Sequence, residues 1–269
     1  AVASATLNVT NDRLLEDQET VLLTLGNASG PATSLGDTAN ATTIADNESA
    51  TLSIAATSTV TEEGDAQAVG LVTLTITGTG AGALALGQGV VVSAEVTQAG
   101  GTATSGADYA VFGVQTAMFD GGLTDGTVTT GAVTSPALAV QEDPLLEGSE
   151  TVLLTLTNAS GPATSLGDTA NTTTITDNES ATLSMAATST VAEEGGAQAV
   201  GMVTLAITGT GAGAFALGKG VVMTADVSDV GTGSAAGGGV DYTFSTQTVT
   251  FDGGAADGTV PTGAALGVK

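Results

Sequence analysis

The sequence has no cysteine, histidine or tryptophan, and these absences exclude several kinds of site. Without Cys or His, the chain cannot form a disulfide, supply thiolate or imidazole ligands to zinc, or build a Ser-His or Cys-His nucleophile pair. A metal ion bound by this chain must therefore be a hard cation that is held by oxygen atoms.

Positive charge is also scarce, with three Lys and Arg residues against 28 Asp and Glu and a net charge of −25. So few cations cannot neutralise phosphate groups or follow an anionic membrane surface. No apolar run approaches the roughly 18 residues that a membrane helix needs. We therefore expect no nucleic-acid partner and no membrane insertion. The start at Ala1, without Met, is consistent with a mature secreted protein or with a segment of a longer one.

Aromatic residues make up 3% of the chain, whereas 42% of the residues are apolar and glycine is abundant. The apolar residues alternate with Thr and Ser, which is not typical of a disordered chain. We expect an ordered β structure whose core consists of small and β-branched side chains.

The chain repeats itself over a long interval. The segment "NASGPATSLGDTAN" starts at Asn27 and again, letter for letter, at Asn158, a spacing of 131 residues. The segment "AVGLVTLTITGTGAGALALG" from Ala68 returns with few changes from Ala199. A period of this length indicates tandem copies of a whole domain, because solenoid units have only about 20 to 50 residues.

Within one period, seven short runs alternate apolar residues with Thr or Ser, and Gly, Asp, Asn or Pro bounds each run. The runs are "ATLSIAATS", "GLVTLTITG", "GVVVSAEVT", "QTAMF", "GTVTTGAV", "ETVLLTLTN" and "ANTTTITD". No capped helical pattern of useful length accompanies them. The pattern predicts an all-β fold of tandem immunoglobulin-like antiparallel β-sandwiches, each with about seven strands.

The repeat places domain boundaries after Glu48 and Glu179, where "ADNE" and "TDNE" close a period. Residues 1–48 then hold the closing strands of one domain, residues 49–179 a complete domain, and residues 180–269 the opening strands of another. Because an isolated half would expose an apolar face and unpaired strand edges, each half needs a partner. The partner is either an adjoining repeat of one long chain or a separate copy that joins head to tail by strand addition into a filament.

Three motifs of the complete domain are "SGADY" from Ser105, "VQEDPLLEGSETVLLTLTN" from Val140 and "TITDNE" from Thr174. Together they resemble the Calx-β domain of sodium-calcium exchangers, integrin β4 and giant bacterial surface proteins. The resemblance covers the whole chain and implies a calcium-binding β-sandwich. The calcium ligands that it implies are Glu62 or Glu63, Glu142, Asp143, Glu147, Glu150, Asp177, Asn178 and Glu179.

The acidic residues indicate a cation site on their own. Those of residues 142–150 precede one predicted strand and those of residues 177–179 follow the last, and no Lys or Arg is available to pair with them. Carboxylates gathered in this way repel each other, and Ca²⁺, which binds about six to eight oxygens, would supply the missing charge. The alternative is that the acids only make the strand ends soluble.

The sequence departs from the Calx-β pattern at several places. Gly100 stands where calcium-binding members often have Asp, and Asn178 lowers the charge of the last motif. We call residues 142–150, and their counterparts 11–19 in the first copy, the acidic loop. In the first copy, Asn11 and Arg13 stand where the second has Glu142 and Pro144. We therefore expect fewer ions or weaker binding, above all in the first copy. Its predicted ligands are Asp12, Glu16, Glu19, Asp46 and Glu48, completed by Glu193 or Glu194 of an adjoining copy.

Two further motifs have plain interpretations. "GTGAGALALG" from Gly78 resembles a glycine-rich phosphate loop, but no helix follows it and it contains no Lys, so we interpret it as a flexible loop between strands. Asp108, which precedes Tyr109, is interpreted as a turn residue beside a core aromatic and not as a catalytic acid.

The sequence predicts a non-catalytic, calcium-binding structural or adhesive module of an extracellular stalk or filament, in which calcium stiffens the junctions between domains. Its expected partners are copies of itself or adjoining repeats, together with surface glycans or matrix. One alternative is a calcium-sensing regulatory module. Another is a carbohydrate-active enzyme with two catalytic carboxylates, although the sequence offers few aromatic residues to form a sugar-binding cleft.

Overall fold

The computed structural model describes residues 5–193 and 195–268. Within these ranges the chain forms 22 strands and no helix. No described segment is a helix long and apolar enough to cross a membrane. The strands are β1 (Asp12–Leu15), β2 (Glu19–Thr24), β3 (Ala39–Ile44), β4 (Ser49–Ile54), β5 (Thr57–Thr61), β6 (Ala66–Ala68), β7 (Val72–Thr77), β8 (Ala81–Leu86), β9 (Val91–Gly101), β10 (Gln115–Asp120), β11 (Val133–Thr134), β12 (Ala137–Ala139), β13 (Leu145–Leu146), β14 (Glu150–Ser160), β15 (Thr164–Leu166), β16 (Ala170–Thr176), β17 (Ser180–Met185), β18 (Val200–Thr208), β19 (Ala216–Leu217), β20 (Val222–Val227), β21 (Gln247–Asp252) and β22 (Ala265–Val268).

We refer to residues 5–48 as the first unit, 49–179 as the central unit and 180–268 as the third unit. Two sheets form the central unit, one with the strand order β10-β9-β14-β16-β5 and the other with the order β11-β7-β4-β15. Most neighbours are antiparallel, but β5 runs parallel to β16 and β15 parallel to β4. The predicted immunoglobulin-like β-sandwich is confirmed, with these two parallel pairs as an addition.

Alternation of side chains builds the core between the two sheets. In β4, Ala50, Leu52 and Ile54 are buried while the Thr and Ser between them are only half-buried. Leu52 of one sheet and Leu154 of the other belong to the same buried cluster. Because successive side chains of a strand point to opposite faces, this period of two places one face of each sheet in the core.

Two predicted segments differ from the structure. Of "GTVTTGAV", residues 126–133, only Val133 lies in a strand, because Gly126 and Gly131 have φ of +76° and +87°, which a regular strand does not accommodate. The segment "GTGAGALALG", which we predicted to be a flexible loop, contains strand β8. Its partner is β1 of the first unit, which the sequence of the segment itself could not reveal.

The first and third units contain strands that match those of the central unit. The hairpin β2–β3 pairs Glu19 with Ile44, as β14 and β16 pair Glu150 with Ile175 in the same register. The third unit forms the sheet β17-β18-β22 and the pair β20–β21 around its own small core.

The units meet through two short parallel strand pairs. β1 pairs with β8, where Leu15 is level with Leu86, and β13 pairs with β19, where Leu146 is level with Leu217. These residues are related by the 131-residue repeat. The first junction, between the first and central units, is therefore built like the second junction, between the central and third units.

Candidate metal centre

Acidic residues gather at one end of the central unit because several of its segments end there. β5 and β16 run side by side in the same direction, and Thr61 is level with Thr176. Glu62 and Asp177, the next residues along each strand, therefore emerge at the same edge. The loop before β14 reaches this edge too, since the amide of Glu147 donates a hydrogen bond to Asp177 Oδ2 at 2.7 Å.

Three carboxylates form what we call the Glu62 cluster: Glu62, Asp177 and Glu179. Each offers an oxygen within 4.8 Å of the other two. Glu62 and Glu179 are only 6% and 8% exposed. Among the described residues, neither carboxylate oxygen of Glu179 has a hydrogen-bond partner. Burying a charge without a partner is costly, so this arrangement requires a cation or a proton.

A second group, the Glu147 cluster, consists of Asp108, Glu147 and Glu150. Their carboxylate oxygens also lie within 4.8 Å of one another, and all three residues are half-buried. Glu150 begins β14 and Glu147 lies in the loop before it. The Glu147 cluster therefore lies at the start of β14, beside the end of β16 that leads to the Glu62 cluster.

Asp108 is a site residue that the sequence reasoning missed. The amide of Thr104 donates to its side chain, as expected for a turn, and the amide of Gln141 donates to its carbonyl at 2.9 Å. The second bond ties the turn to the acidic loop and brings the carboxylate to the cluster. A signal existed, because the other copy keeps an acid before tyrosine at Asp241.

Backbone hydrogen bonds fix the acidic loop. The amide of Leu145 donates to Asp143 Oδ1 at 2.8 Å, and the amide of Asp143 donates to Glu62 Oε1 at 3.2 Å. The amide of Glu179 donates to Asp177 Oδ1 at 3.0 Å. Each carboxylate can accept about four hydrogen bonds, so these contacts orient the groups and leave oxygen lone pairs for a cation.

Glu142 and Asn178 belong to the edge of the site and to its link with the third unit. The Asn178 side-chain amide donates to Glu142 Oε2 at 3.0 Å and to the carbonyl of Glu62. The hydroxyl of Thr210, in the third unit, donates to Glu142 Oε1 at 2.6 Å. The same hydroxyl oxygen lies 3.0 Å from Asn178 Oδ1, a second possible acceptor. These two predicted ligands therefore connect the site to the next unit.

The carboxyl groups of the site have raised pKa values. The pKa rises to about 8 for Glu62, Glu150 and Glu179, and to about 7 for Glu147. Burial is the largest cause in each case, and neighbouring carboxylates add to it. Buried carboxyl groups with like-charged neighbours often occur at functional sites, and a bound cation would lower these pKa values.

Among the described residues that form the site, no Lys or Arg side chain neutralises the carboxylates. The chain has only three basic residues in total, and Arg13, at the first junction, has a buried Nε without a partner there. The donor set consists of carboxylate oxygens, which suit a hard divalent cation. The described residues therefore fit calcium.

The first junction repeats part of this arrangement. The amide of Glu16 donates to Asp46 Oδ2 at 2.8 Å, and the amide of Leu14 donates to Asp12 Oδ1 at 3.0 Å. Glu48 is 4% exposed. Its pKa is raised to about 7, chiefly by burial and then by the neighbouring carboxyl group of Asp46. Burial, then Asp12 and Glu19, raise the pKa of Glu16, so the exposed Glu19 is near enough to act on this group.

Two of the predicted ligands lie away from any cluster. Successive side chains of an extended chain point to opposite sides, so Glu62 and Glu63 face different surroundings after β5. Glu62 joins the site, whereas Glu63 is exposed. Glu193, the counterpart of Glu62 in the third unit, is also exposed. Glu194 lies outside the described residues. A shared site between the first unit and Glu193 or Glu194 of another copy stays a prediction.

No protein-family model matches the chain, and no curated protein matches it. Among solved structures, the chain is similar to the apo-form Calx CBD1 domain, with 18% identity and a TM-score of 0.34 over 48% of this chain and 97% of that one. It is also similar to the calcium-binding domain CBD12 of CALX1.1, with 16% identity and a TM-score of 0.34 over 80% of this chain and 74% of that one. The Calx CBD2 domain has 13% identity and a TM-score of 0.34 over 46% of this chain and 85% of that one.

Proposed function

We propose that this protein is a non-catalytic calcium-binding module of the Calx-β type, and that calcium occupies the two carboxylate clusters of the second junction. The observation that carries this proposal is Glu179, whose buried carboxylate lacks a partner among the described residues and lies beside Glu62 and Asp177. A cation there would offset both the desolvation and the mutual repulsion of the three groups.

Calcium suits the clusters better than other common cations. The chain has no Cys or His to select zinc, and Mg²⁺ demands near-ideal octahedral geometry and keeps several of its waters. Ca²⁺ accepts irregular sets of about six to eight oxygens at about 2.3 to 2.6 Å. Two clusters of three carboxylates support two ions at the second junction.

Calcium titration calorimetry of the unsubstituted chain tests the proposal. Glu179→Gln removes the unpartnered carboxylate, so we expect it to weaken at least one binding site by about tenfold or more. Asp168→Asn is the matched control, because Asp168 is an exposed acid outside both clusters. If the unsubstituted chain binds no calcium at millimolar concentrations, the proposal is wrong.

We further propose a structural or adhesive role outside the cell. The excess of negative charge and the tandem copies suit a soluble, extended stalk, and adhesive contacts to surface glycans or matrix would be made along it. Extracellular calcium modules bind with dissociation constants of about 10⁻⁴ to 10⁻³ M. A dissociation constant near 10⁻⁷ M would instead favour the alternative of an intracellular calcium sensor, and cell fractionation would locate the protein directly.

We propose adjoining repeats as partners of the first and third units, either along one chain or between copies. Leu25 in the first unit is 59% exposed, whereas its repeat counterpart Leu156 is 1% exposed in the central unit. In the third unit, a cavity of about 270 Å³ is lined by Leu183, Met185 and Val227. The counterparts of Leu183 and Val227 in the central unit are Leu52 and Val96, and β9, which carries Val96, pairs there with β14. A strand of the β2 kind would therefore cover this cavity.

Sedimentation velocity of the chain over a range of concentrations tests this partnership. We expect self-association that Leu25→Asp weakens and that Leu123→Asp does not, because Leu123 is exposed in a turn of the central unit. A chain that stays monomeric at high concentration, with Leu25→Asp behaving like Leu123→Asp, would contradict association between copies. The partnership would then be restricted to repeats within one chain.

A further inference from the structure

The first unit and the central unit each insert part of their acidic loop into the unit that follows. Leu15 belongs to the first unit, yet it is fully buried within the hydrophobic core of the central unit. Leu146, its repeat counterpart, packs against the core of the third unit. The acidic loop is therefore held by the following unit as well as by its own.

Glycines of the following unit line the contact at the second junction. A side chain at Gly209 would place its Cβ 2.4 Å from Glu179 Oε1, and a side chain at Gly218 would place its Cβ 2.6 Å from Glu147 Cγ. Both distances are far below van der Waals contact, so the two glutamates occupy space that any other residue would fill. Each cluster thus has one member that packs directly against the third unit.

The first junction has the same glycine lining. A Cβ at Gly78 would lie 2.2 Å from Glu48 Oε1, and a Cβ at Gly87 would lie 2.8 Å from Glu16 Cγ. Glu48 and Glu16 are the repeat counterparts of Glu179 and Glu147. The same side chains therefore meet the same glycines at two places in the chain, which makes an accidental contact a poor explanation.

The following unit also brings an aspartate to the second junction. Asp257 accepts a hydrogen bond from the amide of Lys219 at 2.6 Å, directly after Gly218. Burial contributes most to the raised pKa values of Asp143 and Glu147, and the charge of Asp257 is among the further causes for both. Asp257 is exposed, so its carboxylate is available to bind a cation.

The first junction has the counterpart of this aspartate. Asp125 accepts a hydrogen bond from the amide of Gln88 at 2.6 Å, next to Gly87. Burial is the largest cause of the raised pKa of Glu16, and the charge of Asp125 is among the further causes. At the second junction, a cleft of about 490 Å³ lies between Glu147 and Glu150 on one side and residues 219–221 on the other.

We propose that the cation at the second junction is shared between two units, with Asp257 of the third unit joining Glu147 of the central unit as a ligand. This inference rests on the proposed calcium binding and names its missing ligand. The unpartnered, buried carboxylate of Glu179 marks the second junction as a cation site independently of Asp257. A shared ion would fix the angle between consecutive units, because neither unit could move without losing a ligand.

Asp257→Asn in the full chain is the test variant. Asn keeps a side-chain oxygen that can accept from the amide of Lys219, so the loop keeps its hydrogen bond while the charge is lost. Asp226→Asn is the matched control, because Asp226 is an exposed acid of the same unit that bonds to Thr248. Calcium titration should show one site weakened about tenfold or more in Asp257→Asn and unchanged affinities in Asp226→Asn.

Pulsed electron paramagnetic resonance measures the junction itself. The chain has no Cys, so spin labels at Met118→Cys and Thr250→Cys, both exposed, report one distance between the central and third units. We expect calcium to narrow the distance distribution in the labelled chain and in its Asp226→Asn form, and to leave it broad in Asp257→Asn.

The two possible failures are distinguishable. If the unsubstituted chain binds calcium and Asp257→Asn matches Asp226→Asn in affinity and distance distribution, the shared ligand is wrong and the proposed calcium binding stands. If the unsubstituted chain binds no calcium, both are wrong.

Discussion

The carboxylate of Glu179 lies so close to Gly209 that a methyl group on this glycine would be 2.4 Å from Oε1. The two residues belong to different units, and the contact leaves the carboxylate buried and without a hydrogen-bond partner among the described residues. The geometry of the Glu62 cluster therefore depends on the absence of a side chain in the following unit.

Gly209→Ala should weaken calcium binding with little loss of stability. The added methyl group meets the flexible end of a side chain, so Glu179 can rotate away from the cluster and remove one ligand. We expect a calcium affinity about tenfold lower at this site, measured by titration calorimetry. Gly233→Ala is the control, because a Cβ at Gly233 would meet nothing within 4 Å. Equal affinities in the two variants would contradict the role given to this contact.

The calcium-free protein should lose stability as pH rises. The folded state raises the pKa of Glu62, Glu150 and Glu179 to about 8, above the value near 4.5 of an unperturbed Glu. The folded state therefore binds more protons than the unfolded state between about pH 4.5 and 8, and the stabilisation is lost as pH rises through this window. Melting temperatures in calcium-depleted buffers from pH 5 to 8.5 measure the trend.

Calcium should reverse this trend, because it binds the deprotonated carboxylates. The gain in melting temperature on adding calcium should be small near pH 5 and largest above pH 8. At a calcium concentration of 100 times the dissociation constant, a single ion adds about 2.7 kcal/mol to the free energy of unfolding. A gain that does not change with pH would show that these carboxylates are not the ligands.

The fold was predictable because its signals are local. Leu52 and Leu154 occupy alternating positions of strands with Thr and Ser between them, and this period of two defines a buried face wherever it occurs. The failure at residues 126–133 has a local cause as well. Alternation of Thr and Val there resembles a strand, but two glycines with positive φ turn the chain instead.

The site was predictable only in part, because clusters form between segments distant in the chain. Glu62 and Asp177 meet because β5 and β16 are parallel neighbours, which the sequence does not state. The same limitation hid Asp108, whose position depends on a hydrogen bond to the acidic loop. The role of the glycine-rich strand β8 was hidden for another reason, since its partner lies in the preceding unit.

Leu15→Ala should destabilise the central unit even though Leu15 precedes it in the chain. Leu15 is fully buried in the core of that unit, and truncation of a buried Leu costs about 3 kcal/mol. Urea unfolding can be followed by the fluorescence of Tyr109, which is buried in the central unit, if Tyr242→Phe removes the other tyrosine. The free energy of unfolding should fall by about this amount.

Leu22→Ala provides the comparison for this measurement. Leu22 belongs to the same unit as Leu15 but is 77% exposed, so its truncation should change the free energy of unfolding by less than about 0.5 kcal/mol. Similar unfolding midpoints for the two variants would mean that the first unit does not insert its leucine into the central unit in solution.

Gly211→Ala should open the second junction, and Gly220→Ala should not. Both glycines have positive φ, +104° and +73°, so alanine strains the backbone in each case. Only at Gly211 would the new Cβ also meet backbone, 2.4 Å from the carbonyl oxygen of Asp143, whereas a Cβ at Gly220 would meet nothing within 4 Å. Backbone cannot rotate away as a side chain can, so the acidic loop must withdraw and β13 must separate from β19. The distance distribution between labels at residues 118 and 250 should then stay broad in calcium for Gly211→Ala and become narrow for Gly220→Ala, and equally narrow distributions would show that the strand pair does not set the junction.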